Sequence, residues 1–143
     1  MSKNILITGG AGYIGSHVVE ILIKNKKRVI ILDNLSTGFK KLINNKAKFF
    51  RGDIKNTKKI NQILNKYKID SVIHLAANLV IGEGQKYPKK YFTNNVLGTK
   101  SVLEALKNTN VKNFIFSSTA AVYKDGLYRV KETSPIRDRK SVV

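Results

Sequence analysis

Three groups of residues have the types and spacing to do chemistry. The first is Gly9-x-x-Gly12-x-x-Gly15, set between an apolar run and an amphipathic segment. Gly9 suits a tight strand-to-helix turn, Gly12 lets an anionic group approach the backbone, and Gly15 permits close packing of the helix. Free N–H groups at the start of that helix would face a phosphate, so the loop points to a dinucleotide diphosphate. The second group is acidic. Asp33 follows Gly15 by eighteen residues and ends the next apolar run, where a carboxylate accepts hydrogen bonds from the adenosine ribose. A 2′-phosphate there would meet like charge, which favours NAD over NADP. Asp53, in Arg51-Gly52-Asp53, suits either the adenine amino group or a plain Gly-Asp turn. The third group is the hydroxyl-rich strand end FSSTAAVY, with Ser117, Ser118 and Thr119.

The remaining polar residues carry weaker signals. His74 in SVIHLAA and His17 have no accompanying carboxylate or cysteine set, so no metal centre is expected. His74 reads as a core or cofactor-proximal histidine and His17 as structural. Asn94-Asn95 interrupts a regular helical pattern, where Asn is mildly disfavoured. One of the two is expected to tie helix to strand while the other is solvated.

These residues need a frame to hold them. Apolar runs at Lys3–Thr8, Arg28–Leu32, Ala47–Phe50, Ser71–Leu75 and Asn113–Ser117 read as strands. Helical spacing lies between them, at Tyr13–Asn25, at Thr57–Tyr67 and after Pro88. In the last segment Phe92, Val96, Thr99, Val102, Leu103 and Leu106 are expected on the inner face. Leu35–Asn45 has room for a short helix. The alternation predicts an α/β, Rossmann-like, doubly wound parallel sheet of about five strands in the order 3-2-1-4-5. Ligands would then bind at the carboxyl ends, near the switch point between strands 1 and 4. After Tyr123 the pattern stops, and KDGLYRVKETSPIRDRKSVV reads as an irregular tail.

Composition sets outer bounds. The 143 residues and a 42% hydrophobic fraction suffice for one core. No run approaches the roughly 20 apolar residues that cross a bilayer. Met1-Ser-Lys-Asn leads straight into NILIT, so no secretory leader and a cytoplasmic location are expected. Without cysteine there are no disulfides or thiolate ligands. The formal charge of +18 is dispersed in short groups such as KNKKR and KYPKK. It therefore reads as solvated faces rather than a specific nucleic-acid footprint.

The landmarks GGAGYIGSH, LDNLSTG, GDI, VIHLAA, VIGEG, NNVLGT and VKNFIFSSTAAVY resemble, in order, those of the UDP-glucose 4-epimerase family of extended short-chain dehydrogenase/reductases. The resemblance covers Lys3–Tyr123. It implies that Gly9, Tyr13, Ile14, Gly12 and Gly15 surround the NAD diphosphate, that Asp33, Asn34, Ser36 and Thr37 lie by the adenosine ribose, and that Asp53 and Ile54 meet the adenine. Ala76 and Ala77 would line the cofactor cleft with Asn95 nearby, and Leu79 stands where some members have a cofactor-contacting Lys. Ser117 and Ser118 would reach the nicotinamide, and Thr119 matches the catalytic Ser/Thr. A homodimer is also implied.

In that family a Tyr base and a Lys four residues later drive transient oxidation at the sugar C4, interconverting UDP-glucose and UDP-galactose. Here the residues four after Tyr13, Tyr67, Tyr87, Tyr91, Tyr123 and Tyr128 are His17, Ser71, Tyr91, Asn95, Leu127 and Glu132. Lys124, not Gly, follows Tyr123. The expectation is therefore an NAD-binding domain over 1–123, a tail over 124–143 and no sugar-nucleotide domain, inactive on its own. Two classes compete: part of an NAD-dependent sugar-nucleotide epimerase or dehydratase, broken or completed by a downstream polypeptide, and a non-catalytic dinucleotide-binding or assembly module.

Overall fold

The first strand, β1 (Asn4–Thr8), alternates its apolar side chains between two cores. Leu6 faces one side with Ile30, Leu32, Val72 and Val102; Ile5 and Ile7 face the other with Val19, Val29 and Ile31. A strand buried on both faces belongs in the middle of a parallel sheet covered by helices on each side. The computed structural model, which describes residues 3–107, 109–119, 122–123 and 129–136, has this arrangement. β1 lies between β2 (Arg28–Asp33) and β4 (Ser71–His74); β3 (Lys48–Arg51) and β5 (Asn113–Phe116) form the edges, in the order β3-β2-β1-β4-β5. Every pairing is parallel, with Thr8 opposite both Leu32 and His74, Asp33 opposite Arg51, and His74 opposite Phe116. The predicted sheet is the observed one.

One face carries α1 (Tyr13–Lys24) through Val19. The other carries α2 (Thr57–Tyr67) and α5 (Gly98–Leu106). α2 buries Ile60, Ile63 and Leu64, each contributing about 2 kcal/mol of apolar transfer energy. It starts at Asn56, whose Oδ1 accepts the Lys59 amide at 3.0 Å, and ends at Lys68 in the left-handed region, φ 45. The short helix expected in Leu35–Asn45 is a 3₁₀ turn at Lys40–Leu42.

The segment from Ile81 to Leu106 differs from expectation. It opens with a short helix, α3 (Ile81–Lys86), which periodicity did not suggest. α4 (Pro88–Tyr91) then runs into a π-helical turn, Phe92–Leu97, before α5. Each i→i+5 bond widens the turn, so spacings of three and four no longer return to one face. Tyr91, Val102 and Ala105 are buried, whereas Phe92, Val96 and Leu103 are exposed, contrary to the predicted inner face. Beyond β5, Tyr123 and Ile136 form an isolated antiparallel bridge, and Lys131–Ser134 makes a turn. Residues 124–128 and 137–143 of the expected tail, Lys124 and Tyr128 included, lie outside the described residues.

Candidate functional site

The carboxyl ends of the strands gather the polar residues. Gly9 leaves β1 with φ +75, its amide donating to Leu32 O at 3.0 Å. Gly15 sits over that turn so closely that a Cβ would lie 2.1 Å from Gly9 O. Gly12 is the N-cap of α1; no side chain caps the helix and no acid occupies its first turn. The positive end of α1 thus faces outward with its amides available to an anion. Tyr13 and Ile14 project their side chains to solvent, and the Tyr13 ring meets His17 edge-on at 5.0 Å.

Asp33 is nearly buried and bridges two loops. Its Oδ2 accepts the Ala11 amide at 3.0 Å and its Oδ1 accepts the Leu35 amide at 2.8 Å. Phe39 N donates back to Ala11 O at 3.0 Å. The stretch holding Asn34, Ser36 and Thr37 is therefore folded onto the glycine loop, with Leu35 in the left-handed region at φ 62. Asn34 Oδ1 accepts the Ser36 amide at 2.9 Å. Asp53 makes the turn that its sequence allows, accepting the Lys55 amide at 2.9 Å and pairing with Lys55 Nζ at 3.5 Å. Ile54 is buried in the core against Gly98, so it can offer a ligand only its backbone.

A cleft of about 660 Å³ opens between these ends, lined by Asn34, Ser36, Thr37 and Asp53 on one side. Its other wall is Asn78, Lys86–Lys90, Thr93 and Asn94, which sequence reasoning did not assign. α3 and α4 hold that wall together. Tyr91 OH lies 2.7 Å from Val80 O and 2.8 Å from Glu83 Oε2, and Lys90 Nζ pairs with Glu83 at 2.6 Å. Hydrogen bonds from Lys90 and then Tyr91 hold the Glu83 carboxyl below its usual range. Burial and then Glu83 push the Tyr91 phenol up, the wrong direction for a base.

Ala76 and Ala77 follow β4, with the Ala76 backbone packed against Gly9. Asn95 reaches across from the π turn: its Oδ1 accepts the Asn78 amide at 2.8 Å and its Nδ2 donates to Asn78 O at 2.9 Å. One asparagine thus ties helix to strand end as expected. Asn94 is half-buried rather than solvated, donating to Asn95 Oδ1 at 3.0 Å. Leu79 is 73% exposed. Ser117, Ser118 and Thr119 are exposed at the end of β5, beyond β4 from this cleft, with Ser117 N donating to His74 O at 3.1 Å. His74 is buried between Thr8 of β1 and Thr99 at the start of α5. Among the described residues no cluster of three metal-ligating side chains occurs, and no helix is long and apolar enough to cross a membrane.

A five-stranded parallel sheet with a glycine loop at the end of its central strand and an acid at the end of the next defines a nucleotide-binding α/β domain. The chain belongs to the NAD dependent epimerase/dehydratase family, whose model matches residues 5–141. It is 49% identical over 119 residues to a UDP-glucose 4-epimerase of Lactobacillus helveticus, covering 83% of this chain and 36% of that protein. A crystal structure of UDP-glucose 4-epimerase from Brucella ovis in complex with NAD superimposes with a TM-score of 0.85 at 36% identity, over 95% of this chain and 42% of the other. The enzyme from Bifidobacterium longum in complex with NAD+ and UDP gives 0.84 at 30% identity, over 95% and 43%. The chain thus spans about two fifths of the length of these relatives.

Proposed function

We propose that this chain is the NAD-binding part of a UDP-glucose 4-epimerase and that these 143 residues alone do not turn over sugar nucleotide. The observation that carries the reading is the linkage of the uncapped α1 N-terminus, through Ala11, to Asp33. A single ligand with a diphosphate and a ribose would engage both. The residues fit NAD: open backbone at Gly12 for the diphosphate, Asp33 and Asn34 for the ribose hydroxyls, and the cleft beside Asp53 for the adenine. When bound, the cofactor supplies a hydride acceptor and donor. The chain's own residues hold it, with Gly9, Gly12, Tyr13, Ile14 and Gly15 at the diphosphate, Ser36, Thr37 and Ile54 near the adenosine, and Ala76, Ala77 and Asn95 forming the wall. Ser117 and Ser118 would face the nicotinamide and Thr119 the sugar hydroxyl.

The base is the missing element. No Tyr has a Lys four residues on, and a missing base forfeits about 10²–10⁴-fold in rate. The Tyr and Lys that would complete the site are outside these 143 residues, with the cytoplasm as the setting. Isothermal titration with NAD and NADP tests the binding reading: NAD should bind more tightly, and tighter NADP binding would overturn the role given to Asp33. A coupled epimerase assay on the purified chain should show no appreciable conversion of UDP-galactose; robust turnover would refute the inactive-chain reading.

A further inference from the structure

The buried polar residues the proposed chemistry does not use form one continuous chain of hydrogen bonds. Thr8 and His74, opposite each other on β1 and β4, are 0% and 2% exposed. Thr8 Oγ1 lies 2.5 Å from His74 Nδ1, and Thr99 Oγ1 lies 3.0 Å from His74 Nε2. Thr99 donates its only hydroxyl proton to Asn95 O at 2.6 Å. Thr99 can therefore serve His74 only as an acceptor, which places the imidazole proton on Nε2 and leaves Nδ1 to accept from Thr8. Among the described residues no buried side-chain nitrogen or oxygen lacks a partner, as this assignment requires. The ring is further fixed by stacking near Phe114 and Phe116, at 6.2 and 5.8 Å.

The geometry points to His74 as a positioning residue of the proposed cofactor site: as the Nε2–H tautomer it couples Thr8, at the mouth of the glycine loop, through Thr99 to the π turn that carries Asn95. The Asn95 backbone receives the end of this relay, and its side chain clamps both polar groups of Asn78. Asn78 lines the cleft. The relay thus joins the two sides of the site, the glycine loop and the wall after β4, across the interior of the sheet. It rests on the NAD-binding reading only for its effect on affinity; the coupling itself can be read without ligand.

Two-bond ¹H–¹⁵N correlation spectra of the full chain separate the tautomers directly. Nε2–H is expected, and Nδ1–H would overturn the assignment. Thr99→Val keeps the branched shape and removes the acceptor, whereas Thr99→Ser keeps the hydroxyl. Amide exchange at Asn78, measured relative to Leu6 in β1, should accelerate on the order of tenfold in Thr99→Val, the effect of one buried donor left unpaired, and recover in Thr99→Ser. NAD affinity should fall and recover in parallel. A merely structural histidine would change Asn78 and Leu6 together, and an unchanged ratio would refute the coupling. Should the unaltered chain fail to bind NAD, the proposed function falls while the exchange ratio still decides the relay.

Discussion

Acid titration of His74 is the perturbation whose size follows most directly from the structure. Burial alone lowers its pKa from 6.5 to about 4, with no carboxylate to offset the loss of water. Above pH 6.5 the imidazole is neutral in folded and unfolded chains alike, and stability is full. Between 6.5 and about 4 only the unfolded chain takes up the proton, so stability falls with pH; below that the His74 contribution levels off. At about 1.4 kcal/mol per pH unit the loss across the window is about 3 kcal/mol. That is a large share of the ~5–15 kcal/mol available to a domain. Glu20 and Glu83, whose carboxyls are lowered by hydrogen bonds from Lys24 and Lys90, lose their stabilising interactions only as pH falls below the ordinary value of 4.5. The upper part of the window therefore isolates the histidine. Urea unfolding followed by circular dichroism at about pH 7 and about pH 4.5 should give a lower midpoint at the acid end with an unchanged slope. His74→Gln, less stable at neutral pH, should lose most of that dependence. An unaltered chain with the same midpoint at both values, or a variant with undiminished dependence, would refute the reasoning.

Three further outcomes are expected. Gly15→Ala places a Cβ 2.1 Å from Gly9 O and 2.8 Å from Gly10 Cα; both are backbone and cannot swing aside, so it should cost about 3 kcal/mol and abolish NAD binding in calorimetry. Gly98→Ala presses on Ile54 Cδ1 at 2.5 Å, which should outweigh its gain in helix propensity and destabilise by about 1 kcal/mol. Ile54→Val in the same chain should relieve part of that loss in urea titrations, and strict additivity would count against the contact. Asp33→Asn turns an acceptor of the Ala11 and Leu35 amides into a donor toward one of them. It should cost about 1–3 kcal/mol and narrow the preference for NAD over NADP in parallel titrations; an unchanged ratio would show that the charge does not select.

Where local pattern and tertiary structure agree, the sequence was legible. NILIT and RVIIL are apolar on both faces because they are covered on both sides, and strand order followed from their alternation with helices. Gly9–Gly15 and Asp33 occupy the strand ends their spacing implied. The far wall of the cleft was not legible, because tertiary contacts hold it against local propensity. IGEGQK carries two glycines, which disfavour a helix; it is helical because Gly84 packs on the Tyr91 ring and Glu83 bonds Lys90 and Tyr91. The π turn likewise has no period of its own in FTNNVL. Asn95 fastens it to Asn78, and the widened turn carries Phe92 and Val96 outward. His74 looked like a core residue and is one; its two threonine partners lie 66 and 25 residues away, beyond the reach of any short pattern.

The central place of β1 also sets the order in which the chain can assemble. β1 is made before both of its partners and must wait for them, and the second of these, β4, begins at Ser71. The Asn4 amide finds its acceptor on Asp70, 66 residues on, so loop-closure entropy is lost before that contact rewards it. Gly9 needs Leu32 for its hydrogen bond and packs against the backbone at Leu75 and Ala76; Ala11 needs Asp33 and Phe39. The Gly9–Gly15 loop thus takes its final shape only after some sixty further residues have been made. Until Ala76 has emerged, the nascent chain carries the glycines of a nucleotide site but not the surface that bends them.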